Sequence, residues 1–176
     1  MTYWDEKMKG IWSGLIIPPY IGIGSEANHN KRVDYHWQPP DVGWYKLNFD
    51  GASRGNPGVA GIGFSILNWE GREITLKSHP IGHKTNNWAE LAALLEGLKI
   101  CKVLEVEKLE IEGDSAIIIK AFRKGSMPNW RLNALLARAI SLRNFFRRLT
   151  VNHIFREGNK RVDELANMGA DGKELP

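Results

Sequence analysis

Four carboxylates stand where hydrophobic runs would favour apolar side chains: Asp50, Glu90, Asp114 and Asp163 each end or interrupt such a run. Asp50 closes the strand-like YKLNF, and Asp114 follows KLEIEG, in which Leu109 and Ile111 alternate as a sheet face requires. Glu90 lies at the edge of a helical stripe made by Leu91, Leu94, Leu95 and Leu98, and Asp163 neighbours Val162 and Leu165 in a short C-terminal helix. Taken singly, each acid reads as a solvated surface group or a helix-terminal charge. Partly buried carboxylates repel one another unless cations sit between them, so a converging set of oxygen ligands points to a hard divalent metal.

The elements that must position these acids are legible from Trp44 onward. WYKLNFD, GVAGIGFSILNW and REITLKSH read as three strands, with NWEG as the turn between the second and third, which predicts an antiparallel meander. A helix from about Asn87 to Lys102, a strand from Lys108 to Gly113 and a helix from near Ser115 complete the order βββαβα. Beyond the breaker KGSMPN, the pattern predicts a longer helix from Arg131 to Arg148, a strand TVNHIF and a final helix from Arg161 to Met168. Residues 1–40 differ: Pro18, Pro19, Gly22, Gly24, Pro39 and Pro40 break regular structure. They read as a tail or linker, the worn end of a larger protein, ahead of one domain at 41–176. Within that tail Trp4, Met8, Ile11, Trp12 and Leu15 approach helical spacing and give a short amphipathic stretch.

A chain of 176 residues with 43% hydrophobic content suffices for one substantial core. Its net charge of +4 and pI of about 9.2 favour a polyanionic partner. The bases cluster from Ser115 to Val162, among them Lys120, Arg123, Lys124, Arg131, Arg147 and Arg148, and Glu157 is the acid that opposes them there. A solvated helical surface is the plainer reading of that segment. Cys101 is the sole cysteine, which excludes an intrachain disulfide and a thiolate zinc cluster. No apolar stretch approaches the ~20 residues of a membrane span, and the N-terminus lacks a signal pattern, so a soluble, intracellular monomer is expected.

In this order, WYKLNFDGASRGNPG, TNNWAEL, LEIEGDS and REGNKRVDELAN resemble the type 1 ribonuclease H domain over about residues 41 to 171. The opening WQPPDVGWYKLNFDGASRGNPG and the ending VNHIFREGNKRVDELANMGA are similar to plant ribonuclease-H-like domains related to non-LTR retroelements. The resemblance implies an α/β fold, a mixed five-stranded sheet with helices on both faces and the active site at the sheet centre. It further implies that Asp50 bridges two Mg²⁺ ions, that Glu90 and Asp114 help hold one, and that Asp163 holds the other. The implied reaction is hydrolysis of the RNA strand of RNA/DNA hybrids, leaving 3′-hydroxyl and 5′-phosphate ends. Two metals about 3.5 to 4 Å apart suit phosphodiester cleavage because they stabilise both the attacking and the leaving oxygen. Oxygen-only ligands favour Mg²⁺, or Mn²⁺ in its place, over zinc.

The loop after Asp50, GASRGNPG, is rich in glycine but lacks the GK[ST] ending of a P-loop, so a hairpin turn and a phosphate cradle both fit it. By resemblance its Gly51, Ser53, Gly55 and Asn56 approach the minor groove of the hybrid. Thr85, Asn86 and Asn87 suit the start of the catalytic helix as caps, and by resemblance they also touch nucleic acid, where ribose 2′-OH groups distinguish RNA from DNA. Two features depart from the bacterial pattern. REGN carries no histidine, which leaves Arg156 or Glu157 to assist product release and His153 as a structural residue; and KGSMPNW has no room for a basic handle. Trp130 reads as a core residue, although with the arginines after it it could hold a nucleic-acid backbone. Two other readings stay open: a retroelement-derived nucleic-acid-binding module with weak or no nuclease activity, and a DNA-directed transposase or junction nuclease.

Overall fold

The computed structural model describes residues 38–175. The amphipathic stretch expected between Trp4 and Leu15, and nearly all of the 1–40 tail, lie outside the described residues. The meander forms as the alternation predicts: β1 (Tyr45–Gly55), β2 (Gly58–Leu67) and β3 (Glu73–Lys84) pair antiparallel in sequence. Asn68 shapes the β2–β3 turn, its Oδ1 accepting from the backbone N–H of Glu70 (3.0 Å) and of Arg72 (2.9 Å). Then follow α1 (Asn86–Val103), β4 (Lys108–Gly113), α2 (Ala116–Lys124), α3 (Trp130–Ser141), β5 (Arg148–His153) and α4 (Lys160–Ala170).

The sheet order is β3-β2-β1-β4-β5, with β4 parallel to both β1 and β5. Parallel neighbours need a crossover, and α1 supplies the one that returns the chain from β3 to β4 beside β1. The central strand is therefore β1, the one that carries Asp50. Leu47 and Phe49 of β1 are fully buried in one core with Leu91, Leu94 and Leu98 of α1 and Leu109 and Ile111 of β4. On the other face, α4 buries Val162, Leu165 and Ala166. Both helices press on bare sheet backbone. A Cβ on Gly51 would lie 2.1 Å from the Glu90 nitrogen of α1, and one on Gly63 would lie 2.5 Å from the Ala166 nitrogen of α4. No helix among the described residues is long and apolar enough to cross a membrane.

Three expectations are corrected. The helix predicted from Arg131 to Arg148 ends at Ser141, followed by a 3₁₀ turn (Arg143–Phe145), and the next strand already begins at Arg148. Phe146 explains the stop: it leaves helical geometry at φ −97°, ψ 127° and enters the core at 7% exposure, and the Arg148 N–H then donates to Glu107 O at the sheet edge. Trp130 is not a core residue. It is 75% exposed at the first position of α3, and the Arg131 guanidinium lies 5.3 Å from its ring centre. The basic segment is also less unopposed than the linear sequence implies, since folding brings Glu107 to Arg147 (3.4 Å) and Glu73 to Arg161 (3.3 Å).

Candidate metal and nucleic-acid site

Asp50 sits near the middle of the central strand, on the α4 side, at 5% exposure. Its Oδ1 accepts from the Gly51 N–H at 2.8 Å. Glu90 reaches the same point from the second turn of α1, also at 5% exposure, and can do so because Gly51 lets the helix backbone approach β1. Asp114 follows the end of β4, just ahead of the Ser115 cap of α2. One carboxylate oxygen from each of Asp50, Glu90 and Asp114 lies within 4.8 Å of the others. Asp163, in the first turn of α4, stands outside that triplet; its Oδ1 accepts from Arg156 Nη2 at 3.0 Å.

The electrostatics of the triplet are unfavourable without a cation. Burial, reinforced by the charges of Asp114 and Asp163, raises the Asp50 carboxyl from 3.8 to about 7. Burial and then the neighbouring Asp50 push Glu90 well above the ordinary carboxylate range. Glu90 Oε2 is buried with no hydrogen-bond partner among the described residues. Three oxygen donors with like charge, two of them buried and one orphaned, fit a hard divalent cation: it would satisfy the lone pairs and cancel the repulsion together.

The asparagine- and glycine-rich residues frame this site. Thr85 caps α1, its Oγ1 accepting from the Trp88 N–H at 3.3 Å. Asn56 Oδ1 accepts from the Asn86 N–H at 3.1 Å, which ties the β1–β2 loop to the start of α1. Ser53 Oγ donates to Lys84 O at 2.8 Å and to Gly55 O, so it braces the same loop, and Gly55 adopts φ +109°. Asn86 and Asn87 stand half-buried in the first turn of α1, one turn before Glu90. Ser53, Asn56 and Thr85 thus each have structural work that the sequence reading left open.

One participant escaped that reading. Asn159, 1% exposed, donates from Nδ2 to Phe49 O (3.0 Å) and to Asp114 Oδ1 (3.2 Å), joining the last loop to the central strand and to a carboxylate of the triplet. As a polar residue between Gly158 and Lys160 it resembled ordinary loop; its place four residues before Asp163 was the available signal. His153 Nε2 lies 3.1 Å from the backbone oxygen of Asp114, a structural contact as expected.

A family model described as reverse transcriptase-like matches residues 48–169. Ribonuclease HI of Halobacterium salinarum is 34% identical over 137 residues, covering 76% of this chain and 68% of that protein. A protein of Arabidopsis thaliana, named provisionally as a ribonuclease H protein, is 35% identical over 133 residues; the match takes in 74% of this chain but 21% of the relative's length. Among solved structures, ribonuclease H1 from Halobacterium salinarum superposes with a TM-score of 0.69 at 33% identity over 73% of this chain and 98% of that one. LC11 ribonuclease H1 in complex with an RNA/DNA hybrid gives a TM-score of 0.67 at 30% identity, over 73% and 97% of the respective chains.

Proposed function

The chain belongs to the ribonuclease H family, in its reverse-transcriptase-like group, and from that membership we propose that it is a metal-dependent endonuclease hydrolysing the RNA strand of RNA/DNA hybrids. The observation that carries the proposal is the convergence of Asp50, Glu90 and Asp114, with the buried Glu90 oxygen left without a partner. Asp50, Glu90 and Asp114 would hold one Mg²⁺, and Asp50 with Asp163 the second. When bound, such ions supply an activated water and charge stabilisation at the scissile phosphate.

The protein's own residues supply positioning. Asn159 fixes the orientation of Asp114 through its amide, and Gly51 sets the depth at which Glu90 enters. Asn86 and Asn87 stand one turn from Glu90 with amides able to donate to or accept from a ribose 2′-OH, a partner that deoxyribose does not offer. Arg156 balances Asp163 as a guanidinium–carboxylate pair in the loop where bacterial relatives place a histidine. Water adds to phosphorus and the bond to the 3′-oxygen breaks, so the products carry a 3′-hydroxyl and a 5′-phosphate.

The test is cleavage of an end-labelled RNA/DNA hybrid with Mg²⁺, beside double-stranded RNA and double-stranded DNA controls. The proposal expects internal cuts in the RNA strand of the hybrid alone. Binding of hybrid without cutting would favour the module with little or no turnover, the reading to which the Arg156–Asp163 pair lends support.

A further inference from the structure

The outer face of α2 continues away from the acid triplet as a surface that the hydrolytic reading leaves unused. The helix starts directly after Asp114, and Ala116, Lys120 and Lys124 recur along it at four-residue spacing, so they share one face. Ile119 lies nearly buried beneath, and Arg123 leans across to the sheet edge, its Nε donating to Val151 O at 3.0 Å. His153, at the end of β5, completes a shallow open groove with these side chains. Phe155 adds an aromatic ring that is 62% exposed and stands edge-on to His153 at 6.3 Å between centres. Phe155 leads straight into the Arg156–Gly158 turn, so the groove and the acid site share a border.

The charge here is without an acid partner, as it is at Arg131, Arg138 and Arg148 among the described residues. Arg147, Arg156 and Arg161 each pair with an acid, whereas Lys120, Arg123 and Lys124 form no ion pair among the described residues. From Ala116 to Lys124 the helix advances about 12 Å, at 1.5 Å per residue. The groove therefore offers positive charge at Lys120 and Lys124, on a helix face whose first turn lies beside a proposed metal ligand.

We propose that this groove is a subsite for a single-stranded continuation of the RNA strand being cut, beyond the end of the hybrid; the inference rests on the function proposed above. The occupant is a nucleic acid because unpaired cations on one face match successive phosphates. It is single-stranded because the exposed Phe155 ring offers stacking to a base, and a base paired and stacked within a duplex has no free face to give. It is the strand under cleavage because the helix face that bears Lys120 and Lys124 starts beside Asp114. Hybrids with RNA overhangs would then be held better than blunt ones.

The experiment measures binding of the whole chain, without divalent ions, to four labelled substrates: a blunt hybrid, hybrids with a 5′ or a 3′ RNA extension, and a hybrid with a DNA-strand extension. One of the two RNA extensions should bind about five-fold tighter or better than the blunt hybrid, with a steeper salt dependence. Lys120→Glu combined with Lys124→Glu should erase that gain, and Phe155→Ala should reduce it, while cleavage of the blunt hybrid with Mg²⁺ stays within two-fold of wild type, on the order set for exposed charges. Equal affinity for blunt and RNA-extended hybrids, an equal gain from the DNA extension, or a gain that survives both variants would overturn the subsite. Its failure is distinct from that of the catalytic reading: blunt hybrid cleaved with no overhang advantage removes the subsite alone, and overhang RNA bound with no cleavage removes the nuclease alone.

Discussion

Two groups of acids meet around β1 and β4, one of them joined by Glu90 from α1, and the fold treats them in opposite ways. Glu112 is buried like Asp50, yet it has a cation and an amide of its own: Lys46 Nζ stands 3.0 Å from Oε1 and Asn48 Nδ2 donates to Oε2 at 3.1 Å. Lys46 also lies 3.8 Å from Glu110 and donates to Gln38 O at 2.9 Å. Among the described residues, Asp50, Glu90 and Asp114 receive no lysine. Among the described residues the basic residue paired with the acids of the site is Arg156, which sits on Asp163 and is 74% exposed. Where an acid serves structure, the sequence provides its counter-charge in the adjacent strand; where it is kept for a ligand, the counter-charge is left to come from outside.

The largest effect expected from breaking this contrast is on the acid side. Asp50→Asn should reduce hybrid cleavage to background, because the central carboxylate is assigned to both ions. The same change removes a buried charge that no ion pair among the described residues neutralises, so the metal-free protein should melt a few degrees higher at pH 8. Thermal melting and a cleavage assay on the same preparation check both halves. Retained cleavage would remove Asp50 from the site.

On the paired side, Lys46→Met leaves Glu112 buried without its cation. Breaking a buried pair from one side typically costs about 3–5 kcal/mol, and urea unfolding would show it. Adding Glu112→Gln should recover most of the loss. If Lys46→Met alone costs less than about 1 kcal/mol, the pair is not what holds that region.

A third expectation concerns pH. The folded Asp50 carboxyl, raised from 3.8 to about 7, keeps a proton that the unfolded chain has released, so its contribution to stability is complete below pH 3.8 and is lost as pH rises through about 7. The metal-free protein should accordingly lose melting temperature between pH 5 and 8 on the order set by this linkage, and saturating Mg²⁺ should remove most of the slope. A flat profile without metal would contradict the buried, unneutralised pair.

The contrast also shows what the sequence could reveal. Asp50, Glu90, Asp114 and Asp163 were legible because each interrupts an apolar run, and a run carries its own expectation. Lys46 and Glu112 were not. They alternate with Leu47 and with Ile111, a pattern that reads as the wetted face of a strand; only tertiary packing shows that this polar face is buried. Asn159 was missed for a related reason, since its burial depends on the loop folding down onto Phe49 and Asp114. The early stop of α3 had no glycine or proline to announce it, and depends on Phe146 finding the core.

Smaller effects would sharpen the nucleic-acid side. Asn87→Ala should slow hybrid cleavage by about two- to ten-fold, the range of one lost hydrogen bond, with melting unchanged. Normal cleavage by a folded Asn87→Ala protein would shift sugar discrimination to the GASRGNPG loop. Reversing Arg147 and Arg148 to Glu should weaken hybrid and double-stranded RNA alike and flatten the salt dependence by no more than about two phosphate contacts. The effect is the smallest expected because Arg147 already faces Glu107. Unchanged affinity at low salt would place both arginines away from the bound duplex.

The central claim, that the protein leaves one group of buried acids for an external cation and neutralises the other itself, is tested most directly by paramagnetic broadening of backbone amide signals on Mn²⁺ titration. The account predicts that the Gly51, Leu91 and Ser115 amides, each following an acid of the triplet, broaden first, and that Asp50→Asn removes the effect while Glu112→Gln leaves it intact. Broadening centred on β4 residues around Glu110 and Glu112, or unchanged broadening in Asp50→Asn, would contradict it.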